Sequence, residues 1–454
     1  MATTTDEIYN AILAHTSIES IKDKLFPLLT STPGNLFAQP LSDNQDPLEL
    51  LNPIEHSLGY LYFLTARCYQ ENVNLSLLYS HVLNFLEQFD KRQIIHGLKR
   101  FYQLAPILIK FSSSSGKPIL ATRPLLLAIK KIVPEGTLTP LHPILIKECL
   151  LGKLYTDALA ILDVNITEVD PKVTHIKVQD HLLYHYYGAM IYIGLKQFSR
   201  AAEFLELVIA TPSVGTSAIQ VEAYKKHVLV SLLLEGQLIN LPKYTAPCVI
   251  QAIKVLCAPY LDLAAAYSSL NVSRVKAELM IHESSFIKDR NYGLVSQCLD
   301  ALYRRNILQL TRTYLTLSME DIAKTVGFEG PTATQEAEKY VLQMIESGDI
   351  FASIRYRPEG SMVSFEDNPD CHNTSETLNA LNQKLQLASE IGKRVSKIEQ
   401  DIACSKEYLS KVSWIVTYIY HQSMINPKPK VLLTRTNEPV SSLQNEDMDF
   451  IDAP

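Results

Sequence analysis

The chain has 454 residues, of which 47% are hydrophobic, and its formal net charge is −6. This length allows more than one domain with an ample buried core, and the acidic balance excludes the global basic field that attracts nucleic acid or anionic lipid. With only 16 glycines, the composition favours helices over a turn-rich β fold or a glycine-rich phosphate loop.

The seven cysteines are scattered without a C-x-x-C pair, which predicts reduced thiols in an intracellular protein. The N-terminus lacks the basic and then apolar pattern of a signal peptide. No apolar run approaches the ~18 residues of a membrane-spanning helix. We therefore expect no contact with a membrane.

The first 140 residues predict helices that carry no recognisable chemistry. Apolar periodicity places these helices at residues 6–30, 57–69, 77–89, 94–110 and 125–132. The polar run Ser112–Gly116 is predicted to be a loop between two of them.

An internal repeat follows between about residues 140 and 260. Gly152, Gly194 and Gly236 each come after an apolar helix end, and both intervals are 42 residues. After the first two glycines, the same order of aromatic, hydroxyl, polar and alanine residues begins at Tyr155 and at Phe198. A period near 40 is typical of tetratricopeptide-like helical pairs, which stack into solenoids that bind partners.

Residues 316–365 change in character. Ser318 predicts the capped start of a short helix, and a second helix begins at Ala333. The β-rich runs Ile350–Arg357 and Met362–Phe365 then predict a hairpin. Helix, helix and hairpin, in that order, indicate a winged helix-turn-helix.

Residues 376–412 predict one long polar helix with a narrow apolar stripe of coiled-coil type. Such a helix is not stable alone, so we expect it to pack on another chain. The interface residues expected on it are Leu378, Leu381, Leu385, Ile391, Val395, Ile398 and Ile402. Residues 413–454, which include the run Pro427–Lys430 and the acidic run Asn445–Asp452, are predicted to be a flexible tail.

The search for chemistry finds no catalytic motif. His181 and His185 have the spacing of a zinc pair, but Leu182 occupies the position where a zincin has its glutamate, so we expect both rings in the repeat core. The chain lacks G-x-S-x-G, Walker and G-x-G-x-x-G motifs, and it lacks the H-x-H pattern of metalloisopeptidases. We expect no catalytic residue, no cofactor and no metal site.

A winged helix can bind DNA, but the charge of this one argues against that use. Residues 316–365 contain eight acidic and four basic side chains. The second helix carries Glu336, Glu338 and Glu346 against Lys339 alone, which would repel phosphates. The alternative use is the edge of the small sheet, whose unpaired backbone groups can pair with another subunit. The residues expected at this interface are Ile350, Phe351, Ala352, Ser353, Ile354, Met362, Val363, Ser364 and Phe365.

Several strings resemble the PCI-domain family, and in particular the PCI-domain subunits of the COP-nine signalosome. The strings are Leu294–Leu299, Tyr314–Ser318, Glu336–Leu342, Gly348–Ile354 and Met362–Phe365, with His185–Tyr192 and Leu241–Tyr244 in the repeats. The resemblance implies a mostly α fold: a right-handed helical-repeat solenoid, a winged helix-turn-helix and a long C-terminal helix. The implied domains are helical repeats at 1–258, a PCI module at 259–366 with its winged helix at about 314–366, an assembly helix at 374–412 and a tail at 413–454.

The resemblance also implies a function. The implied function is that of a non-catalytic scaffold in the complex that removes the ubiquitin-like modifier from cullin-RING ubiquitin ligases. The scaffold would act through PCI–PCI contacts and through assembly of a helical bundle. The implied partners are other PCI subunits, MPN-domain subunits and, through the complex, cullin-RING ligases; the implied location is cytoplasmic and nuclear. Two alternatives stay open: a PCI subunit of the proteasome lid or a translation initiation factor, and a nucleic-acid-binding winged-helix regulator.

Overall fold

A computed structural model describes residues 4–15, 17–43, 45–68, 74–134, 136–167, 169–357, 360–366 and 374–414. The chain divides into two units at residue 367, and each is described by itself below. The tail predicted at 413–454 lies almost wholly outside the described residues. The described part is mostly helical, as predicted.

The N-terminal part of the first unit consists of ten α-helices and four turns of other helix types. The α-helices are α1 (Thr5–Ala14), α2 (Ile18–Ser20), α3 (Phe26–Ser31), α4 (Pro47–Leu50), α5 (Ser57–Arg67), α6 (Leu75–Gln88), α7 (Lys91–Ile94), α8 (Leu98–Phe101), α9 (Ala105–Ser115) and α10 (Ile119–Ile132). A π-helical segment covers Ile21–Leu25, and 3-10 turns cover Gly34–Ala38, Ile95–Gly97 and Tyr102–Leu104.

Two predictions in this part are wrong. The helix predicted at 94–110 is divided into short pieces, and Pro106 lies in the first turn of α9, where the missing N–H of proline costs nothing. The loop predicted at Ser112–Gly116 is instead the end of α9, which closes at Gly116 with a left-handed φ of 64°. The serines fit the helix because Ser114 Oγ donates to the Phe111 carbonyl at 2.8 Å and Ser112 Oγ to the Lys117 carbonyl at 3.1 Å.

The predicted repeat is a series of helical hairpins. Its helices are α11 (Leu141–Leu151), α12 (Tyr155–Leu162), α13 (Pro171–Thr174), α14 (Val178–Gly194), α15 (Phe198–Ala210), α16 (Ala218–Leu234), α17 (Pro247–Leu256), α18 (Ala258–Ser268), α19 (Val272–Lys288) and α20 (Tyr292–Thr311). Gly152, Gly194 and Gly236 lie where a helix gives way to a turn, as the 42-residue spacing predicts. Gly188 lets α14 approach its neighbours, since a Cβ there would lie 2.8 Å from Leu162 and 2.9 Å from the Phe204 ring.

A buried polar network joins the repeats to the start of α20. Lys226 Nζ donates to Asn291 Oδ1 at 2.8 Å, and Asn291 Nδ2 donates to the Tyr260 hydroxyl at 2.9 Å. Tyr260 in turn donates to Asp289 Oδ2 at 2.9 Å, which also receives an ion pair from Lys225. Each polar group therefore has a partner, which offsets the cost of burying it.

The winged helix completes the first unit. It comprises β1 (Thr316–Ser318), α21 (Met319–Val326), α22 (Ala333–Glu346), β2 (Phe351–Arg357) and β3 (Gly360–Glu366). The strands form one antiparallel sheet in the order β1-β3-β2, with Ile354 opposite Val363 in the β2–β3 pair and Leu317 opposite Val363 in the β1–β3 pair. The predicted hairpin is confirmed, whereas β1 was not predicted.

The second unit contains a long helix, α23 (Ser375–Ala403), followed by a helical segment at 406–414. The single helix predicted over 376–412 is therefore interrupted at Cys404 and Ser405. Ser405 Oγ accepts from the Tyr408 N–H at 3.3 Å. Because this is the geometry of an N-cap, Ser405 starts a new helix rather than continuing the first.

Candidate subunit-assembly site

The wing is held by a small core. Met319, Ile322 and Val326 of α21 are buried, as are Val341 and Met344 of α22. The predicted cap is confirmed, since Ser318 Oγ accepts from the Asp321 N–H at 3.1 Å and donates to the Asp321 carboxylate at 2.6 Å. Gly327, with φ of 88°, ends α21. The sheet is thus carried on two short helices whose ends are fixed locally.

An aromatic cluster fixes this module to α20. Tyr303 of α20 stacks on Phe328 with ring centroids 4.5 Å apart, and Tyr340 of α22 lies 5.5 Å from both rings. The Tyr340 hydroxyl donates to Asp300 Oδ1 at 2.9 Å. Burial, together with the Asp300 carboxylate, raises the pKa of Tyr340, which keeps the phenol protonated as the donor.

Sheet order decides which predicted residues can offer an edge. β3 is the central strand, so Met362, Val363 and Ser364 face β2 on one side and β1 on the other. Phe365, opposite Ala352 of β2, also donates its N–H to the Leu315 carbonyl at 2.8 Å. The expectation that Met362–Phe365 presents a free edge is therefore wrong.

The outer side of β2 is one edge of the sheet. Within the described residues, β2 pairs only with β3, so alternate backbone N–H and C=O groups of β2 point away from the sheet. Phe351, Ala352, Ser353 and Ile354 lie on this strand with half-buried side chains. Ile350 precedes the strand and is buried in the core, as are the side chains of Val363 and Phe365.

The sequence reasoning missed two parts of this surface. β1 forms the opposite edge of the sheet, next to the exposed Tyr314 and Leu315. At the far end of β2, the exposed Tyr356 donates its hydroxyl to Glu338 Oε1 at 2.6 Å. A three-residue strand has no periodicity to signal it, and the Tyr356 contact joins a strand to a helix 18 residues away.

The exposed side chains of α22, the second helix of the winged helix, agree with the acidic excess counted in its sequence. Glu336, Lys339 and Glu346 are exposed on α22, while Ala337, Val341 and Met344 face the core. The exposed face therefore carries two acids and one base, and it would repel a DNA backbone.

The stripe on α23 is exposed along its whole length. None of its residues is buried. The apolar side chains of the predicted interface are between 51% and 59% exposed: Leu378, Leu381, Leu385, Ile391, Val395, Ile398 and Ile402. Leu387, which lies off the stripe, is exposed to a similar degree. A continuous exposed apolar stripe of this kind is typical of a surface that another protein covers.

The two candidate zinc ligands lie in the repeat core. The His181 and His185 ring centroids are 4.4 Å apart, and His185 Nδ1 lies 3.0 Å from the His181 carbonyl oxygen. Burial lowers the pKa of His185 to about 4, so the ring is neutral at physiological pH. Across the described ranges, no group of three or more His, Cys, Asp or Glu side chains could hold a metal ion. Cys371 lies outside the described residues.

Of the helices in the described part, none is long and apolar enough to cross a membrane by itself. One pair, α17 with α18, has the length and composition when taken together, but its helices meet at a bend of 79°.

The stacked helical hairpins and the winged helix fixed to the last long repeat helix define a PCI-domain protein. A family model for the PCI domain matches residues 279–365. A second, described as the N-terminal helical repeats of COP9 signalosome complex subunit 3, matches residues 24–249.

Two curated relatives extend this match over most of the chain. COP9 signalosome complex subunit 3 of Arabidopsis thaliana is 36% identical over 392 residues, which cover 86% of this chain and 89% of the relative. The protein of the same name from Drosophila melanogaster is 32% identical over 397 residues, with coverages of 83% and 88%. The chain belongs to the COP9 signalosome subunit 3 family, and the resemblance found in its sequence is confirmed.

Proposed function

We propose that the chain is a non-catalytic scaffold subunit of the signalosome. It joins other PCI subunits through the edge of its winged-helix sheet and places α23 in a shared helical bundle with PCI and MPN-domain subunits. Through these contacts it serves the removal of the ubiquitin-like modifier from cullin-RING ubiquitin ligases. Catalysis belongs to another subunit of the assembly.

The observation that carries this proposal is the exposed stripe of α23. Seven Leu, Ile and Val side chains, each more than half exposed, follow one another along the helix. Covering each of them would contribute roughly 1 kcal/mol, since burying a whole side chain of this size contributes about 1.5–3 kcal/mol. A stripe of this length therefore supplies enough free energy to hold the chain in an assembly.

The edge of β2 supports the same proposal. Its unpaired backbone groups can form ladder hydrogen bonds with a strand of another subunit, and such main-chain pairing depends little on side-chain identity. Of the residues expected at this interface, Phe351, Ala352, Ser353 and Ile354 would provide the pairing strand. Ile350, Val363 and Phe365 would support it from the core, and Met362 and Ser364 through the central strand.

Co-expression with the other signalosome subunits tests the stripe. The variant Leu385→Asp/Ile391→Asp/Ile398→Asp should fail to co-purify with them, because three carboxylates would be buried without partners. The control Asn379→Asp/Gln386→Asp/Gln400→Asp adds the same charge to the same helix away from the stripe and should co-purify normally. Normal assembly of the first variant would refute the bundle.

Two further measurements test the remaining parts of the proposal. The purified chain should not cleave a modified cullin, whereas the complete complex should; activity of the chain alone would contradict the scaffold role. We also propose that the chain is present in both cytoplasm and nucleus. A fluorescent fusion should be found in both compartments, and its exclusion from either would contradict this location.

A further inference from the structure

A groove of about 1090 Å³ lies in the first unit, where the repeats meet the winged helix. It is lined by one face of α20, by the turns that end α14, α16 and α18, and by Met344 and Asp349 of the winged helix. Its apolar lining includes Phe198, Leu234, Leu270 and Leu308. At this volume the groove exceeds a typical small-molecule pocket and can accommodate part of a peptide.

One cation of the groove is used by the fold itself. Arg305 donates to the carbonyls of Leu234 and Glu235 and so satisfies the free carbonyl end of α16. Gly236 permits this contact, because its φ is 76° and a Cβ there would collide with the Arg305 guanidinium. The wall of the groove is therefore fixed, and Arg305 is not available to a ligand.

The other cationic side chains of the groove are not held by ion pairs among the described residues. Within the described part of the chain, Lys196, Arg304 and Arg312 form no ion pair. Arg304 lies on α20, and Arg312, at i+8, directly follows the last residue of this helix with a helical backbone conformation. The two arginines therefore lie on one face, roughly 12 Å apart along the helix axis. Leu308 lies between them at i+4 and is 37% exposed. The helix thus presents a cation, an apolar side chain and a second cation in a row.

The carboxylates of the groove restrict what can bind. The groove lining also contains three acidic side chains: Glu235, Asp300 and Asp349. With the four cations Lys196, Arg304, Arg305 and Arg312, the lining carries a net charge of +1. Asp300 accepts from Tyr340, and Asp349 accepts from Ser347 Oγ at 2.6 Å. A nucleic acid needs a continuous run of cations and would meet these three acids. A short peptide can instead place its own acids at the two arginines alone.

We propose that this groove binds an acidic segment of a partner protein, which inserts an apolar side chain at Leu308 between carboxylates that pair with Arg304 and Arg312. The row of groups on α20 gives both the charge and the spacing that such a segment must match. Lys196, in the turn after α14, is the third cation of the lining that forms no ion pair in the described part of the chain. The lining includes none of the described residues of β2, so binding here is a contact additional to the proposed strand pairing.

A peptide selection tests the proposal. Random displayed peptides of about 12 residues, enough to span the two arginines, are selected on the full chain co-purified with its partner subunits. Counter-selection on the same assembly containing Arg304→Glu/Arg312→Glu removes peptides that bind elsewhere. We expect the enriched peptides to carry two acids on either side of an apolar residue. Enrichment of neutral or basic peptides, or no enrichment, would overturn the proposal.

The affinity of the best enriched peptide, labelled with fluorescein, is then measured by fluorescence anisotropy. Arg304→Glu/Arg312→Glu and Leu308→Asp should each weaken binding at least about tenfold, because they remove charge-assisted contacts or the apolar anchor. The control Arg123→Glu/Lys130→Glu changes the net charge by the same amount at two exposed side chains of α10 and should leave the affinity unchanged. Equal loss in this control, or displacement of the peptide by duplex DNA, would indicate unspecific charge attraction and refute the site.

Discussion

Three buried histidines of the repeats should make the fold sensitive to acid. His142, His185 and His227 are nearly inaccessible to solvent, and burial lowers the pKa of each to about 4. His142 Nδ1 accepts from the Thr139 N–H at 3.1 Å, which only an unprotonated Nδ1 can do. In the folded chain these three rings are therefore neutral near physiological pH.

The sign and size of the effect follow from proton linkage. Above the unfolded pKa of about 6.5, the rings are neutral in both states and stability does not change with pH. As the pH falls below that value, the rings become protonated in the unfolded chain but stay neutral in the folded chain. The free energy of unfolding therefore decreases until about pH 4. At about pH 5.5 the loss is roughly 1.4 kcal/mol for each ring and about 4 kcal/mol for the three.

The variant His142→Asn isolates one ring, since the asparagine oxygen can accept from Thr139 and does not titrate. Urea unfolding monitored by circular dichroism near neutral pH and near pH 5.5 should show a pH-dependent loss about 1.4 kcal/mol smaller than in the unchanged chain. His175→Asn makes the same substitution at an exposed ring, where φ of 54° suits asparagine, and should keep the original dependence. An identical acid loss in His142→Asn and the unchanged chain would refute the reasoning.

Two substitutions test the packing that positions the site. Gly188→Ala should destabilise the repeats by roughly 1–3 kcal/mol, because its Cβ would press on Leu162 and Phe204. The control Gly293→Ala has open space around its Cβ and should not destabilise the fold. Equal melting temperatures of the two variants would contradict the close approach at Gly188. Phe328→Ala should lower the free energy of unfolding by roughly 3–5 kcal/mol, because it removes the ring stacked on Tyr303. Limited proteolysis should then cleave the winged helix sooner. An unchanged rate of cleavage would mean that the aromatic cluster does not hold the module.

Local sequence signals predicted much of the fold. The 42-residue interval between glycines located the helical hairpins, and Ser318 and Gly327 marked the ends of α21 because caps depend on neighbouring residues alone. The faces of α23 also follow from periodicity, which is why the exposed stripe could be listed residue by residue. The break at Ser405 was missed because a capping serine in the middle of a polar helix resembles any other surface residue.

The arrangement of the sheet could not be predicted in the same way. β1 has three residues and pairs with a strand more than 40 positions later, so neither its existence nor the central place of β3 has a local signal. That long-range pairing removes Met362–Phe365 from the free edge and leaves β2 on the outside. The groove on α20 was likewise hidden, because residues 196, 236 and 304 meet only when the repeats stack.

Hydrogen–deuterium exchange measured on the chain alone and in the assembled signalosome tests the scaffold role most directly. If the chain acts through its sheet edge and its bundle helix, the amides of Phe351–Arg357 and of Ser375–Ala403 should exchange much more slowly in the complex. The core helix Ala218–Leu234 should exchange at the same rate in both samples and serves as the internal control. Exchange of the strand and of α23 that is equally fast in the complex and in the free chain would contradict the account.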